Sequence, residues 1–328
     1  MIVVTGGAGF IGSNLVAGLE AHGRTGLVVC DRLGTDDKWR NIAKRELADL
    51  IPPERLFDFI EGRASEIEMI FHMGAISSTT ERDADAIVEN NFALSRRLWQ
   101  WCAEHGVRLV YASSAATYGS GDEGFKDTQS IEGLAKLRPL NAYGWSKHLF
   151  DRTVARAVAG NERAPPQWSG LKFFNVYGPN EYHKGDMMSV VAKLHPRIVE
   201  NEPARLFKSY RPQFPDGGQE RDFIWVGDCV QVMLWLLDNP EVSGLFNVGA
   251  GRARSFADLA RATFAAAGME PRIEYIEMPE SLRPKYQYFT QAHTGKLRSA
   301  GFEMPFTDLE EGVGAYVRGF LAAADPYL

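Results

Sequence analysis

The sequence predicts an α/β fold, a doubly wound parallel sheet with a smaller mixed α/β domain. Three observations lead there. Short apolar runs alternate with longer stretches of helical spacing through the first half of the chain, a glycine-rich turn joins the first run to the first helix, and the alternation stops near residue 176. Strands separated by helices build βαβ units, and right-handed crossovers then place helices on both faces of a parallel sheet.

In chain order, IVVT (2–5), LVVC (27–30), MIFHM (69–73), RLVYAS (108–113) and LKFFNV (171–176) read as strands. Helices are expected over 10–22, 84–104 and 143–158. The segment 177–221 is rich in Pro, Gly, Tyr and charge, with one helix expected near 187–200. Strand-like pieces follow at FIWV (223–226) and LFNV (245–248), with helices over 228–238, 255–267 and 307–323. The expected division is a nucleotide-binding domain over 1–176 and a substrate domain over 177–328, the chain around 222–250 returning to the first. SYRPQFPDGGQE (209–220) reads as a surface loop.

A chain of 328 residues, 45% hydrophobic and 24% charged, has an ordinary soluble composition and room for two domains. Its net charge of −6 supplies no basic field for nucleic acid. MIVVTGG contains neither a basic leader nor an apolar run of membrane-spanning length, so the expectation is a cytoplasmic protein. Cys30, Cys102 and Cys229 are scattered and lack CxxC spacing; buried reduced thiols are expected, and no metal site.

VTGGAGFIG sets Gly6, Gly7, Gly9 and Gly12 between the first strand and the first helix. Glycine permits positive φ and a close backbone approach to a phosphate, and the helix start at Phe10 and Ile11 offers free N–H groups. Asp31 closes LVVCD about twenty residues past Gly12, where dinucleotide folds hold an adenosine ribose. A carboxylate there favours the free 2′-hydroxyl of NAD, while Arg32 and Lys38 can hold the 2′-phosphate of NADP, so the residues leave both cofactors open. HMGAISS places Met73, Gly74, Ala75, Ile76 and Ser77 at the carboxyl edge of the sheet, where ligands bind. Asn90, in the next helix, either braces that loop or is a surface amide.

YASSAATYG (111–119) and YGWSK (143–147) carry the chemistry. Tyr143 and Lys147 are four apart and share a helix face. A cation beside a phenol of ordinary pKa about 10 favours the phenolate, so Tyr143 is expected to act as a base near neutral pH. Ser114 is placed to hydrogen-bond the same substrate oxygen. With the glycine-rich turn, this combination resembles the extended short-chain dehydrogenase/reductase superfamily, which oxidises or epimerises nucleotide sugars on a Rossmann fold. RDFIWVGD (221–228) and FNVGAG (246–251) are similar to its later signatures. Sugar dehydratases of that superfamily carry Thr-Asp-Glu where this chain has Ser114, Ala115 and Ala116, so the acid that expels water is missing.

Within the superfamily, MIVVTGGAGFIGSN, SSTTE (77–81), LNAYGWSKHLFD (140–151) and FFNVYGPNEYHKG (173–185) resemble the ADP-L-glycero-D-manno-heptose 6-epimerase family of lipopolysaccharide core assembly. That resemblance implies hydride removal from C6 and its return to the other face by a tightly bound NADP. It implies two acid/base residues, Tyr143 and Lys184, one for each carbonyl orientation; without it, Lys184 reads as a solvated loop lysine. It further implies cofactor contacts from Lys147, Val176 and Lys184, and substrate contacts from Ser114, Asn175, Phe207, Arg221 and Tyr286, with Arg221 at the phosphates. Asp186 stands where the family has serine and Lys193 where it has histidine; both are still expected beside the substrate. Family members are homo-oligomers. The alternative readings are another nucleotide-sugar epimerase, such as a UDP-hexose 4-epimerase, and a net dehydrogenase or reductase of a related sugar nucleotide.

Overall fold

The structure, a computed structural model, describes residues 1–280, 282, 283 and 286–328. Its strands are β1 (Ile2–Thr5), β2 (Leu27–Cys30), β3 (Asp49–Ile51), β4 (Met69–His72), β5 (Arg108–Ser114), β6 (Trp168–Phe173), β7 (Asn175–Tyr177), β8 (Ala204–Phe207), β9 (Glu220–Trp225), β10 (Gly244–Val248), β11 (Ala253–Ser255) and β12 (Ile273–Ile276). Seven of them form one parallel sheet in the order β10-β6-β5-β4-β1-β2-β3. Every residue of β1, β2 and β4 is buried, because helices cover both faces; parallel strands so placed need no polar alternation and read as continuous apolar runs.

Side-chain alternation divides the core between the two faces. Ile2 and Val4 pack with Leu15 and Leu19 of the helix Phe10–Ala21 and with Val230 and Met233 of Val226–Asp238. Val3 packs on the opposite face with Leu98 and Cys102 of Leu94–His105 and Phe150 of Ala142–Ala159. The chain leaves β1 toward β2 and β3 on one side and later builds β4, β5 and β6 on the other, so a crevice opens where the order reverses. All three cysteines are buried and free.

Three expectations are corrected. LKFFNV is two strands: β6 ends at Phe173, the Phe174 N–H bonds the Val248 carbonyl at 3.0 Å, and β7 pairs with β9 in a separate sheet of order β11-β9-β7. Phe174 is buried, so no polar residue marks the change of sheet. β3 was not expected, since Asp49 and Leu50 are exposed and leave no apolar run. The helix expected over 307–323 is α-helical only over Leu309–Tyr316 and continues as a π-helical turn, Val317–Leu321. The remaining strands, β8 and β12, pair with each other, and the helices Val190–Val199 and Phe256–Ala266 pack against them.

Candidate active site

A cavity of about 780 Å³ opens at the carboxyl ends of β1, β4, β5 and β6 and runs on past β7 and the turn Tyr182–Met187. Its first wall is the glycine-rich turn. Gly6 holds φ 66°, and a Cβ there would lie 2.5 Å from the Gly74 nitrogen; a Cβ on Gly12 would lie 2.1 Å from the Gly6 carbonyl oxygen. The two loops therefore touch only because side chains are missing. No side chain caps the helix that starts at Phe10 and no acid stands in its first turn, which leaves its N–H groups for an anion. These features fit a dinucleotide pyrophosphate.

Asp31 accepts hydrogen bonds from the Ala8 N–H at 3.0 Å and from Lys38 Nζ at 2.7 Å. Asp31 and Lys38 line the cavity together with Gly9, Ile11, Met73, Ala75, Ile76 and Ser77. Arg32 and Asn90 lie in a smaller adjoining cavity, where Arg32 Nε donates to Glu54 at 2.9 Å. Asn90 does not brace the loop, for its amide donates to Ala86 in its own helix. Asn91 does so instead, accepting from the Ile76 N–H at 2.8 Å and donating to the Ile76 carbonyl at 2.9 Å. A π-helical stretch, Val88–Ala93, turns this second asparagine inward, and regular helical periodicity gives no sign of it.

Asn91 also donates to Ser146 Oγ at 3.1 Å, and Ser146 donates to the Tyr143 carbonyl at 2.7 Å. His72 extends the network: its ring bonds Thr5 Oγ1 at 2.6 Å and Ser95 Oγ at 2.9 Å, and burial pushes it down to about 3, so it stays neutral. One chain of hydrogen bonds thus ties the end of β1, the loop after β4 and the Tyr143 helix together.

That helix begins at an Asn141 cap, whose side chain accepts from the Gly144 N–H at 2.8 Å. A Cβ on Gly144 would meet the Ala116 carbonyl at 2.7 Å, so glycine lets the helix lie close against the turn that follows Ser114. Ser114, Tyr143 and Lys147 consequently share the cavity wall. Lys147 is 3% exposed and has no ion pair among the described residues. Burial pushes it down to about 8, against an opposing pull from Asp151 one turn further on. Asp151 is itself engaged by Lys172 at 2.5 Å, with both side chains fully buried. The expectation that Lys147 would bring Tyr143 into a neutral range is not met. Burial raises the proton affinity of the Tyr143 phenol, and the Ser114 hydroxyl lowers it in part.

On the remaining wall, Asn175 and Val176 project from β7. Arg221 is 8% exposed; it donates to the Glu220 carbonyl at 2.8 Å and to the Gln287 carbonyl, and its guanidinium lies 5.5 Å from the Phe256 ring and 5.3 Å from the Tyr286 ring. Among the described residues no carboxylate pairs with it, and burial pulls its proton affinity down. A buried cation served only by carbonyls and rings is completed by an anion. Lys184 also faces the cavity, its ammonium 4.9 Å from the Phe10 ring centroid. Burial lowers its proton affinity; Glu181 opposes that and Lys193 adds to it.

Asp186 lines the cavity, but Lys193 and Phe207 do not. Lys193 is exposed and donates to the Asp186 carbonyl at 3.2 Å, while Phe207 packs edge-on against Tyr286 at 6.2 Å. Among the wall residues that the sequence reading did not single out are His183, Met187, Met188 and Phe256. His183 bonds the Asn41 amide at 3.2 Å and is pushed down to about 4, chiefly by burial. His183 lies within the stretch FFNVYGPNEYHKG but was given no role there, and the location of the turn beside Lys184 points to Met187 and Met188.

The NAD dependent epimerase/dehydratase family matches residues 2–249. Over 330 aligned residues the chain is 52% identical to the ADP-L-glycero-D-manno-heptose-6-epimerase of Nitratidesulfovibrio vulgaris, covering 100% of each. Among solved structures, the ADP-L-glycero-D-manno-heptose-6-epimerase of Helicobacter pylori is similar with a TM-score of 0.79 at 26% identity, over 98% of this chain and 96% of that one. The UDP-glucose 4-epimerase of Thermus thermophilus, solved with NAD, is similar with a TM-score of 0.74 at 26% identity, over 98% of this chain and 99% of that one.

Proposed function

The chain belongs to the NAD dependent epimerase/dehydratase family, and from that premise we propose that it interconverts ADP-D-glycero-D-manno-heptose and ADP-L-glycero-D-manno-heptose by inverting C6. One observation carries the reading: a single cavity holds two separate proton-handling groups, Tyr143 beside Ser114 and Lys147, and Lys184 beside Phe10. Net oxidation needs one such group. Inversion presents the substrate oxygen in two orientations and uses one for each.

C6 of a heptose bears carbon on both sides, so its oxidation gives a ketone. A nicotinamide dinucleotide whose pyrophosphate the glycine-rich turn would hold would supply the hydride acceptor and donor. The chain's own residues manage the proton and the charge. Tyr143 takes and returns the hydroxyl proton in one orientation, and Lys184 does so in the other. Burial keeps both lysines below the ordinary value, so an ammonium near this oxygen parts with its proton more readily than one in water. Ser114 hydrogen-bonds the reacting oxygen, and Arg221 meets the diphosphate through charge-assisted bonds. Asn175 and Tyr286 complete the sugar side, with Asp186 at its edge.

For the cofactor we favour NADP over NAD, since Lys38 and Arg32 flank Asp31 and can turn from their carboxylates to a 2′-phosphate. The same reading takes 177–328 as the substrate domain and the protein as a cytoplasmic homo-oligomer without nucleic-acid partners. No described helix is long and apolar enough to cross a membrane. Purified protein given either C6 epimer, with no cofactor added, is expected to produce a mixture of both, read by NMR. An inert heptose together with C4 inversion of a UDP-hexose would replace this reading with the UDP-hexose one.

A further inference from the structure

Lys184 stands in a short turn broken by Gly185 at φ 52°, and such a turn does not fix an ammonium by itself. It is tied down from two sides. From within, the buried Asn180 donates to Ser13 Oγ at 3.0 Å, and Asn41 donates to the Ala8 carbonyl at 2.8 Å and to the Asn180 carbonyl at 3.1 Å. From outside, residues 325–328 lie across it. The Leu328 N–H donates to Asn180 Oδ1 at 3.0 Å, the Tyr182 hydroxyl donates to the Pro326 carbonyl at 2.8 Å, and the Tyr327 ring meets the Tyr182 ring edge-on at 5.3 Å.

The same four residues grip the segment that carries Lys38. Lys44 Nζ donates to the Tyr327 carbonyl at 2.7 Å and pairs with Asp325 at 3.0 Å, while the Arg40 guanidinium lies 4.4 Å from the Tyr327 ring centroid. Tyr327 is 8% exposed, and none of residues 325–328 lines the cavity. The segment bridges two turns that each send a lysine into the cavity.

We propose that residues 325–328, centred on Tyr327, are a clamp that positions Lys184 by holding its turn against the segment bearing Lys38. The proposal rests on Lys184 being the second acid/base group. Because the clamp touches the turn and the segment bearing Lys38 but not the cavity, its influence on kcat is expected through Lys184, and any influence on cofactor affinity through Lys38.

The test is a double-mutant cycle. Tyr327→Ala is expected to lower kcat by about tenfold to a hundredfold, as a misplaced reacting group does, while KM for the nucleotide sugar stays within about threefold. Tyr327→Phe keeps the ring and restores kcat. In a Lys184→Met background, Tyr327→Ala adds no further loss, since the group it positions is gone. Independently of turnover, amide hydrogen exchange over 180–187 quickens in Tyr327→Ala and stays unchanged over the Tyr143 helix. If Tyr327→Ala does not fold, Tyr182→Phe keeps the ring, removes the hydroxyl that donates to Pro326 and follows the same pattern with a smaller loss. Full kcat in Tyr327→Ala with unchanged exchange, or an equal loss in both backgrounds, overturns the clamp. Wild-type turnover in Lys184→Met overturns the role of Lys184 instead, and the exchange measurement then decides alone whether the clamp exists.

Discussion

Lys38 and Arg32, beside Asp31, each hold a carboxylate, Lys38 that of Asp31 at 2.7 Å and Arg32 that of Glu54. Arg221, Lys147 and Lys184 face the same continuous space with no carboxylate in ion-pair distance among the described residues. The difference is physical and not one of residue type. A cation paired in advance contributes to the fold and gives little sign of a ligand, whereas a buried cation without a partner costs free energy until an anion arrives. Under the proposed function, the unpaired set is where the diphosphate and the reacting oxygen would bind. The paired set explains why the choice between NAD and NADP is hard to read, since a 2′-phosphate gains only what the existing ion pairs give up.

The largest effect expected from this contrast is at the reacting oxygen. Tyr143→Phe is predicted to lower kcat by about a thousandfold, the scale of a lost acid/base group, while the cofactor stays bound. Turnover within tenfold of the parent would remove Tyr143 from the chemistry. Next comes Arg221→Met, predicted to raise KM for the nucleotide sugar by up to about a hundredfold, since hydrogen bonds to a charged group contribute about 1.5–3 kcal/mol. Its melting temperature should equal or exceed the parent's, because the fold loses a buried charge that no carboxylate offsets. A drop in melting temperature larger than that of Lys38→Met would contradict the contrast directly.

Acidity gives a third measurement, with two opposite signs. Burial pushes Lys147 down to about 8, below the ordinary lysine value. Its charge is present below about pH 8 and lost above it, so turnover should fall as pH rises through that value. Between about 8 and the ordinary value near 10.4 the unfolded chain binds more protons at this site than the folded one, so stability should rise with pH over the same window. Activity and stability climbing together would refute this. The smallest effect belongs to the paired end. Lys38→Ala is predicted to weaken NADP relative to NAD by about tenfold, the loss of one charge-assisted bond. Equal weakening of both would mean that Lys38 serves Asp31 alone.

What was legible in the sequence follows the same physics. The fully buried parallel strands and the glycine-rich turn announced themselves because each is a local pattern with one explanation, and Ser114, Tyr143 and Lys147 followed from helix spacing and motif. β3 was missed because a short edge strand with exposed residues carries no pattern. The join at Phe174 was missed because a buried residue between two sheets looks like the middle of one strand. Asn91 in place of Asn90 depended on a π-helical turn, and the raised proton affinity of Tyr143 depended on burial, neither of which residue spacing encodes. His183 became visible only once the turn folded back over Asn41 and the cofactor end of the cavity.

The central claim, that one cofactor removes and returns the same hydride at C6 while Tyr143 and Lys184 serve the two orientations, is tested most directly with substrate deuterated at C6. Purified protein with its own bound cofactor and no other should convert the labelled heptose to a mixture of both epimers with deuterium retained at C6 in each. Loss of the label to solvent, or reduced cofactor accumulating in step with substrate loss, would contradict it.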